Sequence, residues 1–116
     1  MTKITKHYAD GRFGQIHYRR AGPSGPAQHP PLILFHMSPY SGAIYENLMT
    51  EMGASRVVIA VDTPGFGNSD APPRPPTIQD YAAAMGDLID TLKLRGVDVM
   101  GYHTGSKIAL DQLPAK

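Results

Sequence analysis

The 116-residue chain contains no cysteine. Disulfides, a thiolate nucleophile and any Cys-ligated metal are thereby excluded. Net charge is nearly absent as well: eleven Lys and Arg stand against ten Asp and Glu, a formal +1. No block of like charge stands out, so neither nucleic acid nor an anionic membrane is implied as a partner. Long apolar runs are missing too. Residues 1–7 have no apolar core of signal-peptide length, and no stretch approaches membrane-spanning length. A soluble, cytoplasmic protein is expected. The 41% hydrophobic and 18% charged residues fit one globular domain rather than a disordered chain.

Residues 3–9 and 12–20 read as short strands joined at Asp10-Gly11, a hairpin-turn dipeptide. Residues 21–31, rich in Gly, Pro and Ser, read as a surface loop. Leu32-Ile33-Leu34-Phe35 is the continuous apolar run of a strand buried on both faces. Residues 41–52 predict a short helix with Ile44, Tyr45, Leu48 and Met49 on one side and Gly53 at its end. Residues 57–61 form a second buried run, ending in Asp62, and residues 63–76 are Pro- and Gly-rich loop. Thr77 is expected to cap a helix, with Asp80 as reciprocal partner. Ile78, Tyr81, Met85, Leu88, Ile89 and Leu92 then recur at helical spacing. Gly96 is expected to end that helix region, and residues 97–100 give a third short strand. Strands alternating with helices predict right-handed parallel β-α-β units, with the N-terminal hairpin added antiparallel on one side.

A local motif follows each buried strand. His36-Met37-Ser38-Pro39 follows the first, and by itself is as readily a strand-ending turn with a hydrogen-bonded histidine as a functional loop. Asp62-Thr63-Pro64-Gly65-Phe66-Gly67-Asn68-Ser69-Asp70 follows the second, where Pro and Gly make successive tight turns. A phosphate loop is disfavoured, because the glycines lack Walker spacing and no Lys follows them. Gly101-Tyr102-His103-Thr104-Gly105 follows the third and opens a helix.

In this order, the motifs resemble the N-terminal half of the α/β-hydrolase fold family. The resemblance implies an α/β three-layer fold, with a mostly parallel sheet and an N-terminal antiparallel hairpin, truncated after the nucleophile elbow. The whole chain, residues 1–116, would be the N-terminal portion of one such domain. The first motif resembles the family's H-G-x-P turn, which implies the Ser38 backbone N–H as an oxyanion donor, with His36 and Met37 at the pocket. Met37 stands where the family usually has a glycine that admits close backbone approach. Asp62 matches a structural residue of the family. The third motif resembles the G-x-S-x-G elbow, which implies His103 in the nucleophile position and Thr104 as the second oxyanion donor. Tyr40 and Tyr102 are expected at the pocket mouth. Ser106 lies in the first turn of the next helix and is not expected to replace the nucleophile.

The implied relatives are small-molecule esterases, lactonases, epoxide hydrolases and dehalogenases; the last two need a carboxylate nucleophile, which His103 is not. Three readings of His103 stay open. It could attack an activated ester directly, since a largely neutral imidazole needs no separate base. It could act as general base on a water, with the Ser38 and Thr104 amides holding the oxyanion. Or the elbow is architecture in a non-catalytic binding or vestigial relative. A metal on His36, His103 and Asp62 is disfavoured by the structural role of His36 in the family motif, and no cofactor is expected. His7, His17 and His29 are expected at the surface. In the family the acid and the catalytic histidine follow the elbow, whereas residues 106–116 alone follow it here and Pro114 breaks the helix. The expectation is a fragment, inactive alone, whose third short strand is an unpaired apolar edge prone to self-association. Its expected partner is a small-molecule substrate or ligand.

Overall fold

Two four-residue apolar runs, buried on both faces, organise the sheet. In the computed structural model, which describes residues 3–23, 30–36, 41–74, 76–94, 96–101, 105 and 107–109, they are β3 (Leu32–Phe35) and β4 (Val58–Val61). They pair in parallel, Leu32 opposite Val58 and Phe35 opposite Val61. On the far side of β3 lies β5 (Asp98–Gly101), also parallel, with Phe35 opposite Gly101. On the far side of β4 lies the antiparallel hairpin of β1 (Thr5–Gly11) and β2 (Gly14–Ala21), giving the order β1-β2-β4-β3-β5. The α/β architecture, with its mostly parallel strands and its hairpin on one side, is the one expected.

Side chains alternate across a strand, so each run feeds two cores. Ile33, Phe35, Ile59 and Val61 pack with Met85 and Leu88 of α2 (Ile78–Thr91) and with Ile108. Leu32, Leu34, Val58 and Ala60 pack with Tyr45 and with Met49 of α1 (Glu46–Met52) on the opposite face. The result is three layers, helix on sheet on helix.

Local details depart from the sequence reading in three places. The hairpin turns at Arg12-Phe13, not Asp10-Gly11, and Gly11 opposite Gly14 is its last pair. The shift follows from two tertiary anchors: the Asp87 carboxylate accepts from the Arg12 backbone and guanidinium, and Asp70 accepts from Gln15 N at 2.8 Å. Next, the segment read as one helix over residues 41–52 begins as a 3-10 turn, Gly42–Tyr45, with Ser41 as its side-chain cap. Ile44, placed on the inner side by spacing, is exposed because the tighter turn rotates it outward. Finally, α2 stops before Gly96. Lys93 takes the left-handed conformation (φ 56°), with Lys93 N donating to Asp90 O and Leu94 N to Ile89 O, a Schellman closure. Since a Cβ is strained there, Lys93→Gly is expected to raise unfolding free energy by about 1 kcal/mol. Urea titration checks this, and a loss of stability would contradict the assignment.

The Thr77 cap forms as the sequence predicts: Thr77 Oγ1 accepts from Asp80 N at 3.1 Å and the Asp80 carboxylate accepts from Thr77 N at 2.9 Å. The Arg74 guanidinium and the Thr77 N–H pull the Asp80 carboxyl down to about 2, so the box persists through mild acid. Residues 24–29 of the expected loop, including His29, lie outside the described residues, as do Ser106 and Pro114. Among the described residues, no helix is long and apolar enough to cross a membrane. No strand pairs with the outer side of β5 among them either, and Met100 there is 42% exposed.

Candidate active site

Adjacent strands β3 and β5 send their following helices to opposite faces of the sheet: α1 joins one core, and Ile108 joins the other. In an open α/β sheet such a reversal leaves a crevice beyond the carboxyl ends of the two strands, the usual place for a ligand. Two sequence motifs meet there. Gly105, helical together with residues 107–109, lies directly against the end of β3. A Cβ on Gly105 would overlap Phe35 O and come within 2.7 Å of His36 O. Glycine is therefore required so that the turn after β5 can press onto the chain leaving β3.

His36 is buried, 1% exposed, and its role is local. Nε2 accepts from Thr63 N at 2.8 Å, so that nitrogen carries no proton, and the Phe66 ring packs edge-on at 5.9 Å. His36 pins the end of β3 to the end of β4. The Thr63 hydroxyl beside it is buried and has no hydrogen-bond partner among the described residues. Thr63→Val, of the same shape, is accordingly expected to leave stability unchanged or raise it by about 1 kcal/mol. A clear loss in thermal unfolding would show that the hydroxyl has a partner after all.

Asp62, at the end of β4, is the most heavily bonded carboxylate among the described residues. Oδ1 accepts from Gly42 N at 2.7 Å and from Arg19 Nη1 at 3.4 Å. Oδ2 accepts from His17 Nδ1 at 2.8 Å and Asn68 N at 3.0 Å. Burial opposes the charge, but the Asn68 and Gly42 N–H groups and the His17 ring together hold its pKa below the ordinary value. Gly67 (φ 54°) lets the loop turn here, and a Cβ on it would collide with the carboxylate. Ser69 Oγ donates to Asp62 O at 2.6 Å and accepts from His17 N, closing the loop back onto β2. The carboxylate is thus consumed by structure, as its reading from the motif implied. With Asp62 saturated and His36 Nε2 occupied, the metal reading loses two of its three ligands. Among the described residues, no group of three His, Cys, Asp or Glu could hold a metal.

His17 corrects the sequence reading. It was expected at the surface, but it is 1% exposed, between Asp62 and the tilted ring of Tyr8 at 5.1 Å. Arg19, two residues along on the same face, reaches Asp62 and also donates to Glu46 at 2.9 Å. The period-2 spacing of His17 and Arg19 was the available signal, but it becomes informative only once β2 is known to be an interior strand. His7 is half-buried, stacked on Tyr18. Of the residues singled out for chemistry, Met37, Ser38, Tyr40, Tyr102, His103 and Thr104 lie outside the described residues.

The three-layer, mostly parallel sheet with its N-terminal antiparallel hairpin, and with Gly105 seated on the end of β3, is a hydrolase-type α/β fold. No protein-family model matches the chain. It is 32% identical to a soluble epoxide hydrolase of Corynebacterium sp. over 108 residues, 93% of this chain and 36% of that one. An uncharacterized carboxylesterase of Bacillus subtilis is 31% identical over 103 residues, 84% of this chain and 33% of that protein. Among solved structures, the N-acyl homoserine lactonase AidH superposes with a TM-score of 0.83 at 28% identity, over 94% of this chain and 40% of the lactonase. The chain belongs to the α/β-hydrolase fold family, and it spans about a third of the length of the curated relatives it matches.

Proposed function

We propose that the chain is the N-terminal part of a hydrolase of small esters or lactones, cytoplasmic, with His103 as its reacting group. The observation that carries this reading is the seat of Gly105 on the carbonyls of Phe35 and His36. It sets Gly105 against the end of β3, which supports a shared site for the segments holding Ser38 and holding His103 and Thr104. In the proposed reaction an imidazole nitrogen of His103 attacks the acyl carbon, and the Ser38 and Thr104 amides hold the oxyanion. The alkoxide leaves and takes up a proton, and water then hydrolyses the acyl-imidazole to regenerate His103. A water deprotonated by His103 gives the same products without the covalent stage. Met37, Tyr40 and Tyr102 would shape the pocket. The substitution of histidine for a hydroxyl nucleophile favours one rival, a binding relative that does not turn over.

Hydrolysis of a nitrophenyl ester separates the two. Because the proposed reaction draws only on His103 and the Ser38 and Thr104 amides, the chain is expected here, against the reading of a fragment inactive alone, to exceed both His103→Ala and equimolar free imidazole by about 10²-fold or more. Equal rates for the chain and the variant would leave only the binding reading. The outer side of β5 is proposed as the surface of self-association.

A further inference from the structure

β1 ends the sheet on the side away from β5, and no strand lies outside it among the described residues. Which of its backbone groups face outward follows from the hairpin register. Gln15 O accepts from Asp70 N and His17 O from Asp62 N, so Gln15 and His17 turn their backbone groups away from β1. Their cross-strand neighbours Asp10 and Tyr8 therefore turn theirs away from β2, as does Lys6 two residues earlier. Asp10 O is indeed met from outside the hairpin, by Thr91 Oγ1 at 3.2 Å, and keeps a second lone pair. Lys6, Tyr8 and Asp10 also share one face of β1, and all three are exposed, Tyr8 by 54%. Neither Lys6 nor Asp10 has an ion-pair partner among the described residues. Lys6 instead lies opposite Arg19, a like charge on β2.

Cation, aromatic, anion at a spacing of two is a self-complementary pattern. When two copies pair antiparallel about a twofold axis at Tyr8, Lys6 of each copy faces Asp10 of the other, and the two Tyr8 rings meet between them. The outward N–H and C=O groups of these residues are the ones such a pairing uses. Opposite charges directly across a strand pair stabilise it, whereas like charges destabilise it. The edge charges that deter an unrelated strand thus admit a second copy. We propose that β1 is a homotypic docking edge, through which two copies of this chain join as an antiparallel pair with Lys6–Asp10 contacts on either side of Tyr8. The contact is isologous and so closes at two copies. A single strand pair buries little surface, which places the dimer among weak, transient associations. It is independent of the hydrolase reading and of any association through β5.

Sedimentation equilibrium of the full chain up to about 1 mM tests this, with Lys6→Glu and Asp10→Lys measured alone, mixed and combined. Both changes are at exposed side chains, and thermal unfolding checks that each variant folds like the parent. Lys6→Glu sets acid against acid at both symmetric positions, and Asp10→Lys sets base against base. Each is expected to weaken the dimer about tenfold or more. Mixing the two variants puts opposite charges at both positions and should recover the association as a heterodimer; the combined variant should recover it alone. Since the chain has no cysteine, Tyr8→Cys adds a specific reporter. The paired Cα atoms, about 5.5 Å apart, suit a disulfide, so oxidation should give covalent dimers. Lys3→Cys, exposed but far from the axis, should not. The proposal is overturned if the parent stays monomeric throughout, if mixing fails to recover association lost in the single variants, or if Tyr8→Cys crosslinks no faster than Lys3→Cys. It is equally overturned if a dimer survives both charge variants and is lost in Met100→Lys, which would place the contact on β5.

Discussion

Asp62→Ala is expected to lower the unfolding free energy by about 3–5 kcal/mol, the largest effect of any single substitution proposed for this chain. The size follows from what the carboxylate leaves behind. Arg19 loses its inner partner, the His17 ring loses its acceptor, and the N–H groups of Gly42 and Asn68 are left facing a void. The His17 ring has no room to turn to solvent, because His17 and Asp62 are both 1% exposed. Asp62→Asn should cost less, since one oxygen remains to accept. The same site predicts a pH dependence. The folded-state pKa lies below the ordinary 3.8, so the stabilisation is fully present above that value. It is lost as pH falls through the folded value, when the unfolded carboxyl binds its proton more readily. Urea titrations from neutral pH downward should show the difference between the parent chain and Asp62→Asn shrinking in acid. A neutral-pH loss below about 1 kcal/mol in Asp62→Ala would mean the network is not holding the loops together.

Gly105→Ala is the second large effect. The added methyl would overlap Phe35 O and crowd His36 O, both of them backbone atoms that cannot swing aside as a side chain would. Relief requires the helical turn after β5 to lift off β3, which withdraws Ile108 from the core it shares with Phe35, Met85 and Leu88. A loss of about 3 kcal/mol is expected, seen as a fall in Tm of about 10 °C or more. Lys107→Ala serves as the control: that residue is exposed in the same turn, and the change should stay within about 0.5 kcal/mol. Equal Tm values for the two variants would refute the close seat of Gly105.

The residues that declared themselves in the sequence are those whose environment is nearly uniform. Leu32 to Phe35 read correctly because a strand buried on both faces needs apolar side chains at every position. The Thr77–Asp80 box read correctly because a cap is a local arrangement, complete within four residues. What escaped depends on partners far along the chain. The hairpin slides to Arg12-Phe13 because Asp87 and Asp70, more than fifty residues away, hold it there. Lys93 tolerates a left-handed backbone because two carbonyls of α2 are closed by it, and no residue preference announces that. His17 looks like a surface histidine on a weakly alternating strand, and only the neighbouring β4 turns it into the partner of Asp62. Gly105, by contrast, was legible as part of a motif, while its physical reason became visible only through its contact with β3.

The segments after β3 and β5 are proposed to make one ligand site. An NMR titration with a small trifluoromethyl ketone, whose adduct carries the oxyanion of an acyl-transfer intermediate, tests it most directly. Backbone amides at 36–42 and 101–105 are expected to shift together, with one apparent affinity, while Thr50 on α1 stays still. Shifts confined to one of the two segments, or appearing instead along the open groove lined by Pro64, Phe66, Pro72 and Tyr81, would contradict it.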